Sequence, residues 1–282
     1  MSLISSEMNT LSLYQFAYWC CDIRHFLNLP HAEPIMLLAL MTDLHANREA
    51  LSACLAHAEQ QKVTRYAFLG DIVGYGADPA WVLQTVMDYV TKGAFVLMGN
   101  HDAGILQEDK GDMNPVARQA VEWTRAQLSK EQIAFIAALP YRIEFQDMLL
   151  VHANAWAPDK WEYIDGVMEA MRSMHACKAA ITFCGHVHMP TLYHMTLTGK
   201  TGEFLPTPES SIPLSKQRRW LVIPGSVGQP RDGNPAACYA TFDTETQELT
   251  YFRVPYDHDT AAKKILAAGL PASLAARLLT GD

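Results

Sequence analysis

Five short motifs that carry metal-binding residue types constrain this chain more than any other feature. Each follows an apolar run typical of a buried strand, such as the run from Ile35 to Met41. Because parallel strands end at one edge of a sheet, side chains far apart in sequence can converge there. The seven candidate residues, in chain order, are Asp43, His45, Asp71, Asn100, His152, His186 and His188.

The chemistry of this set points to divalent cations. Four imidazoles, two carboxylates and one amide suffice for two cations that share a bridging carboxylate. Such a pair is suited to attack on a phosphoester by metal-bound hydroxide. The mixed ligands favour transition metals over calcium, with manganese expected first and iron, zinc, cobalt and nickel as alternatives. Taken alone, Asp43 would suit a helix N-cap and a strand-end histidine a structural role, so the prediction depends on the ordered set.

The first part of the domain alternates between strand and helix patterns. A helix is predicted at 47–61, and a second opens at Asp78-Pro79, with an aspartate N-cap and a proline in the first helical position. Strands are predicted at 35–41, 66–69 and 94–98. This β-α-β-α-β order implies parallel strands joined by right-handed crossovers. Further helix starts are predicted at Asn114-Pro115 and at Ser129, where Gln132 completes a capping box.

The last third is rich in strand patterns and ends in helices. The segment from Gly199 to Arg219 is rich in Gly, Pro and Ser and predicts a long solvated loop, with a lid as the alternative. Residues 260–279 predict two helices around Pro271. Two consecutive sheets flanked by helices predict a four-layer α/β/β/α sandwich with two mixed sheets, formed by residues 35–282. Residues 1–34 are an N-terminal extension of uncertain role.

Composition excludes several classes of function. The net charge of −8 disfavours general nucleic-acid binding, so a small phosphorylated substrate would be attracted locally by the cations. No apolar run approaches the roughly 20 residues of a membrane span, so no membrane association is expected. The six cysteines show no paired spacing, which predicts reduced thiols and a cytoplasmic location. No feature of the sequence sets an oligomeric state.

The ordered motifs resemble the calcineurin-like metallophosphoesterase superfamily over about residues 36–255. Gly70–Gly76 and Pro224–Gly233 further resemble its small prokaryotic phosphodiesterase branch. The resemblance implies hydrolysis of phosphoesters, most of all phosphodiesters, by a hydroxide that bridges two metals. It assigns the seven residues to two ions: Asp43, His45 and His188 to the first, Asn100, His152 and His186 to the second, and Asp71 to both.

The same resemblance suggests residues that act on the substrate. His101 would face the substrate, where it would stabilise charge or protonate the leaving alkoxide, and Asp102 would orient His101. The arginine that clamps phosphate in the phosphoprotein-phosphatase branch is missing from Gly70–Gly76. We expect Arg231 to supply part of that contact, with an ion pair to Asp232 or contacts with the loop backbone as the alternative.

Aromatic residues near the motifs allow two interpretations. Trp156 and Tyr75 each lie four residues past a candidate ligand, so either could line the substrate wall or pack in the core. For Trp161 and Tyr163, core packing is the stronger expectation. The alternatives for function are a phosphomonoesterase or dinucleoside polyphosphate hydrolase and, outside enzymes, a catalytically silent scaffold that binds proteins.

Overall fold

Two mixed six-stranded sheets form the centre of the computed structural model, which describes residues 35–107 and 114–282. The predicted N-terminal extension, residues 1–34, lies outside the described residues. From edge to edge, the first sheet contains β3 (Phe95–Val96), β2 (Arg65–Phe68), β1 (Leu37–Met41), β11 (Ala237–Asp243), β12 (Glu248–Val254) and β9 (Ser211–Pro213). The second contains β4 (Arg142–Phe145), β5 (Met148–Val151), β6 (Ile181–Phe183), β10 (Arg218–Ile223), β7 (Thr191–Thr196) and β8 (Thr201–Phe204).

Eight α-helices in the described ranges cover the outer faces and the end of the chain. They are α1 (Arg48–Gln60), α2 (Pro79–Thr91), α3 (Asn100–Leu106), α4 (Pro115–Gln127), α5 (Lys130–Ala137), α6 (Val167–His175), α7 (His258–Ala267) and α8 (Ala272–Thr280). Pro158–Lys160 forms a 3₁₀ turn. None of the helices described is long and apolar enough to cross a membrane.

Apolar side chains in three layers hold the sandwich together. Leu38 and Phe242 of the first sheet pack against Phe183 and Val222 of the second. On the outer face of the first sheet, residues of α1 and α2 form a second buried cluster. On the outer face of the second sheet, α6 contributes Met174 to a third. The predicted four-layer α/β/β/α architecture is therefore confirmed.

Strands β1, β2 and β3 run parallel, as the alternating pattern predicted. In the second sheet, β5, β6 and β10 are parallel. The carboxyl ends of the parallel strands in each sheet therefore lie at one edge. The two edges meet, because the backbone N–H of His186, after β6, donates to the carboxylate of Asp43, after β1.

The helix starts follow the predicted capping residues with one exception. The side chains of Asn114 and Ser129 accept the expected backbone N–H bonds at α4 and α5. At α2, Asp78 is the N-cap residue and Pro79 occupies the first turn, as predicted, but the Asp78 side chain makes no capping hydrogen bond. Its carboxylate instead lies 2.7 Å from Nζ of Lys264 on α7, which draws it away from the helix end.

The predicted long loop at 199–219 is wrong where the segment forms strands. It contains β8, β9 and the start of β10. Strand β8 pairs with β7 in the second sheet, whereas β9 pairs with β12 in the first. Leu214 is buried between the sheets. Strand formation here depends on pairing partners distant in sequence, while Gly, Pro and Ser only mark the turns.

Candidate metal centre

Two groups of buried side chains meet where the two sheet edges join, and they share one carboxylate. Within each group the potential ligand atoms lie within 4.8 Å of one another. Oδ2 of Asp71 lies 3.7 Å from Nε2 of His45 and 3.5 Å from Nε2 of His152. The first group is Asp43, His45, Asp71 and His188, and the second is Asp71, His152 and His186.

Asn100 joins the second group from the first turn of α3. Its Oδ1 lies 3.2 Å from Nε2 of His152. The next residue, His101, donates its backbone N–H to Oδ1 of Asp71 at 2.8 Å. The structure thus brings all seven predicted residues together. The helix that carries Asn100 was not predicted, because Gly99 to Asp102 has the composition of a turn.

Backbone carbonyls set the direction in which three of the imidazoles point. Nδ1 of His152 donates to the Leu69 carbonyl at 2.7 Å, and Nδ1 of His188 donates to the Gln229 carbonyl at 2.6 Å. Their Nε2 lone pairs therefore face the centre. His186 is oriented the other way, because its Nε2 lies 2.9 Å from the Trp161 carbonyl, which leaves Nδ1 toward the second group.

The donor set fits divalent transition metals. Nε2 of His45 and Nε2 of His188 face each other at 3.1 Å, and Oδ1 of Asp43 lies 3.3 Å from Nε2 of His188. Nδ1 of His45 is buried and has no hydrogen-bond partner among the described residues. Lone pairs and two carboxylates packed this closely repel one another unless cations lie between them. Imidazole, carboxylate and amide donors match manganese, iron, zinc, cobalt or nickel.

Burial and neighbouring charges shift the pKa values of the ligands in different directions. Burial opposes ionisation of Asp71, yet neighbouring imidazoles, His152 foremost, hold its pKa well below the usual range. Burial, helped by His152, lowers the pKa of His186 to about 3. Burial also works against a charged His152, but Asp71 outweighs it and raises that pKa to about 9. A cation bound here would displace the His152 proton.

His101 lies beside the first group. Its ring centroid is 5.0 Å from that of His45 and 4.2 Å from that of Tyr75. Nδ1 of His101 is buried without a hydrogen-bond partner among the described residues. Burial lowers its pKa, so the ring is neutral before an anion arrives.

The predicted role of Asp102 in orienting His101 is wrong. Its carboxylate accepts backbone N–H bonds from Gly99 at 2.9 Å, from Ile72 at 3.0 Å and from Val73 at 3.2 Å. Asp102 lies in the first turn of α3, and from there it fastens the loop after Asp71 to the start of that helix. Burial and then the charge of Asp71 raise its pKa to about 7.

Two tyrosines contact the histidine rings of the centre. Tyr75 packs on His45 and His101, as a wall residue would, and its φ of +62° is in the left-handed region, rare for a non-glycine residue. Tyr163 is 45% exposed and stacks on His186 with ring centroids 4.0 Å apart. The core prediction is therefore wrong for Tyr163.

Trp156 has a different set of neighbours. The Arg172 guanidinium lies 4.2 Å from its ring, and the indole packs against the outer cluster of the second sheet. These contacts favour the core interpretation of Trp156. Trp161 is half-buried against the first core, and its backbone carbonyl orients His186.

Arg231 has no carboxylate partner among the described residues. Its Nη2 donates to Oε1 of Gln229 at 3.1 Å, and its buried Nε has no partner in the part of the chain described. The alternative ion pair with Asp232 is wrong, because Asp232 pairs with Arg253 instead. The backbone N–H of Arg231 donates to the His188 carbonyl at 3.3 Å, which ties its loop to the first group.

Comparison with known proteins identifies the family. Residues 36–247 match the calcineurin-like phosphoesterase superfamily domain. The chain belongs to this superfamily. An uncharacterized protein of Methanocaldococcus jannaschii is 33% identical over 252 residues, which cover 87% of this chain and 98% of that protein. This phosphoesterase also resembles the crystal structure of a metallophosphoesterase from Sphaerobacter thermophilus.

The Sphaerobacter structure is 34% identical, with a TM-score of 0.78 over 88% of this chain and 100% of that one. A hypothetical protein from Pyrococcus horikoshii shares the fold, with 21% identity and a TM-score of 0.71 over 87% of this chain and 98% of that one. Family membership makes the chain a metal-dependent phosphoesterase.

Proposed function

We propose that this phosphoesterase hydrolyses phosphodiesters at two divalent metal ions, manganese first among them, that share Asp71. The observation that carries the proposal is the meeting of two buried ligand groups at one carboxylate. The proposed division gives Asp43, His45 and His188 to one ion and Asn100, His152 and His186 to the other. Bound ions would supply Lewis acidity and a water whose pKa is lowered to about neutral.

His101 is proposed to move the proton of the leaving group. Its ring is next to the first ligand group, and Nδ1 is free of other partners in the described residues. Because burial disfavours the charged ring, His101 takes up a proton only when an anionic phosphate lies beside it. The proton would then pass to the leaving alkoxide.

Arg231 is proposed to hold a non-bridging phosphate oxygen. Its buried, unpartnered Nε lies in a loop fixed to the backbone of His188. A charge-assisted hydrogen bond contributes about 1.5–3 kcal/mol, so Arg231→Ala should raise KM about ten- to a hundredfold. An unchanged KM would remove Arg231 from the substrate site.

Two features favour a diester over a monoester. A diester carries one negative charge on the reacting phosphate. This charge matches the one guanidinium, that of Arg231, that the loop after β10 is proposed to place at the phosphate. Tyr75 and Tyr163 place aromatic faces at His101 and His186, where organic groups of a diester could pack. We also propose a cytoplasmic location, on the ground that the six cysteines show no paired spacing in the sequence.

The test compares bis-p-nitrophenyl phosphate with p-nitrophenyl phosphate after metal removal and reconstitution. Each of manganese, iron, zinc, cobalt and nickel is added back separately, and Asp71→Asn is the control. We expect a higher kcat/KM for the diester, greatest with manganese, and its loss in the Asp71 variant. A higher kcat/KM for the monoester would overturn the diester assignment. Equal, background turnover by both proteins would favour the scaffold alternative.

A further inference from the structure

Tyr75 separates the metal centre from the C-terminal helices. One part of its ring lies near His45 and His101, with centroids 4.6 Å and 4.2 Å away. Elsewhere it packs against a cluster that includes Ile265 of α7 and Leu278 of α8. The C-terminal helices α7 and α8 therefore pack against a residue that contacts the metal centre.

Helix α8 also docks onto the loop that carries Arg231. The Gly281 carbonyl, at the end of α8, accepts the backbone N–H of Gly233 at 2.9 Å. A Cβ at Gly281 would lie 2.7 Å from the Asn234 backbone, so the two segments are in close contact. One turn earlier on α8 is Arg277, whose carbonyl accepts the Gly281 N–H at 2.8 Å.

Arg277 and Arg231 are both cations without an acidic partner among the described residues. Arg231 contacts only the neutral amide of Gln229, and its Nε is buried and unpartnered. No carboxylate in residues 35–107 and 114–282 pairs with Arg277. Arg277 lies four residues before Gly281 and therefore on the same face of α8, which is the face that contacts the loop at Asn234.

We propose that Arg231 and Arg277 form a second anion site beyond Tyr75, and that the substrates are phosphodiesters that carry an additional phosphate group. The reacting phosphate would lie at the metal centre in contact with Arg231, and the additional phosphate would bind between Arg231 and Arg277, so that Arg231 is shared by the two phosphates. This inference rests on the proposed function for the reacting phosphate. Guanidinium forks bind phosphate oxygens in pairs, and a buried charged N–H without an acceptor is costly.

Family membership alone does not supply this site. Arg277 lies outside the matched residues 36–247, on a helix that packs near Tyr75 and docks on the loop at Gly233. The chain carries a net charge of −8, so two cations without acidic partners on contacting segments are a local exception that attracts anions. Arg277 was not predicted, because a helix pattern does not show which segment its polar face contacts.

The experiment uses two probes that differ by one phosphate. Thymidine 5′-(p-nitrophenyl phosphate) is compared with the same diester bearing a 3′-phosphate, at constant ionic strength and with the metal-loaded enzyme. The 3′-phosphate should lower KM about ten- to a hundredfold. Arg277→Gln should bring the ratio of the two KM values toward one, and Arg277→Lys should keep part of it. Arg125→Gln, which removes an exposed charge from α4, is the matched control and should keep the full ratio.

A second measurement does not depend on turnover. Calorimetry on the metal-free protein compares thymidine 3′,5′-bisphosphate with thymidine 5′-monophosphate, and the bisphosphate should bind more tightly in the wild type but not in Arg277→Gln. Equal KM values for the two probes in the wild type, or a ratio unchanged by Arg277→Gln, would overturn the second site while the diesterase function stands. If neither probe is hydrolysed, the proposed function fails, and the calorimetric preference alone decides on the second site.

Discussion

Replacing Gly99 with alanine should disorganise the metal centre without removing any ligand. The backbone of Gly99 is extended, with φ of −101° and ψ of 174°, so alanine can adopt its conformation. Alanine is excluded because there is no space for its Cβ. A Cβ at this position would lie 2.2 Å from both the backbone nitrogen and Oδ1 of Asp71.

The magnitude follows from these distances. Asp71 must move by about 1.2 Å to reach the 3.4 Å of an ordinary contact. Overpacking of this kind costs about 1–3 kcal/mol, and loss of the His101 amide bond to Asp71 adds about 1.5–3 kcal/mol, so the free energy of unfolding should fall by about 2.5–6 kcal/mol. A shift of about 1 Å in the shared carboxylate should lower kcat/KM by about a hundredfold.

The assay is urea unfolding together with metal content by mass spectrometry and diester turnover. Gly166→Ala is the matched control, because Gly166 is also an extended N-cap glycine but its added Cβ would meet nothing closer than 3.6 Å. Gly166→Ala should leave stability, metal content and turnover close to wild type. A Gly99→Ala protein as stable and as rich in metal as the control would show that the site tolerates a Cβ beside Asp71.

Two further predictions concern the histidines of the centre. Tyr163→Ala removes the ring stacked on His186, and this stacking contributes about 0.5–1.5 kcal/mol. In a calorimetric titration, the weaker of the two metal-binding steps should therefore lose about two- to tenfold in affinity. Tyr163→Phe should match wild type. The metal-free protein should lose stability as pH falls below about 6.5, by about 1.4 kcal/mol per pH unit for each of His45, His101 and His186. Burial lowers the pKa of these histidines in the folded state, so the unfolded chain takes up protons that the folded chain does not. His152, with its pKa raised to about 9, stabilises fully below about 6.5 and loses that contribution between about 6.5 and 9, so it is constant in the acid range. Asp102, with its pKa raised to about 7, works in the opposite direction: it gains about 1.4 kcal/mol per pH unit as pH falls from about 7 to about 4, which offsets one of the three histidines. Urea unfolding at pH 6.5 and 5 checks the remaining loss of stability, and greater stability at pH 5 would contradict it.

Strand-end position is what made the candidate centre predictable from sequence. Asp43 and Asp71 follow β1 and β2, and His152 and His186 follow β5 and β6, so each lies where an apolar run ends. Because these strands pair in parallel, their carboxyl ends lie at one edge of each sheet, and the residues that follow them lie there too. The four-layer architecture could be predicted for the same reason, since the order of strand and helix patterns implies the crossovers.

Contacts between distant segments account for what could not be predicted. The carboxylate of Asp102 binds the amides of Ile72 and Val73, about thirty positions earlier, and no local pattern distinguishes that from a contact with His101. Tyr163 reaches His186 only because of the turn before it, where Trp161 has φ of +58°. Strand β9 exists because the edge of β12 offers a pairing partner.

The most direct test of the central claim is a crystal structure of the manganese-loaded protein, measured at the manganese absorption edge. Two anomalous peaks about 3.5–4 Å apart should flank the Asp71 carboxylate, as is usual for paired metal centres. One peak should lie among Asp43, His45 and His188, and the other among Asn100, His152 and His186. A single peak, or two peaks that do not both contact Asp71, would contradict the shared-carboxylate centre.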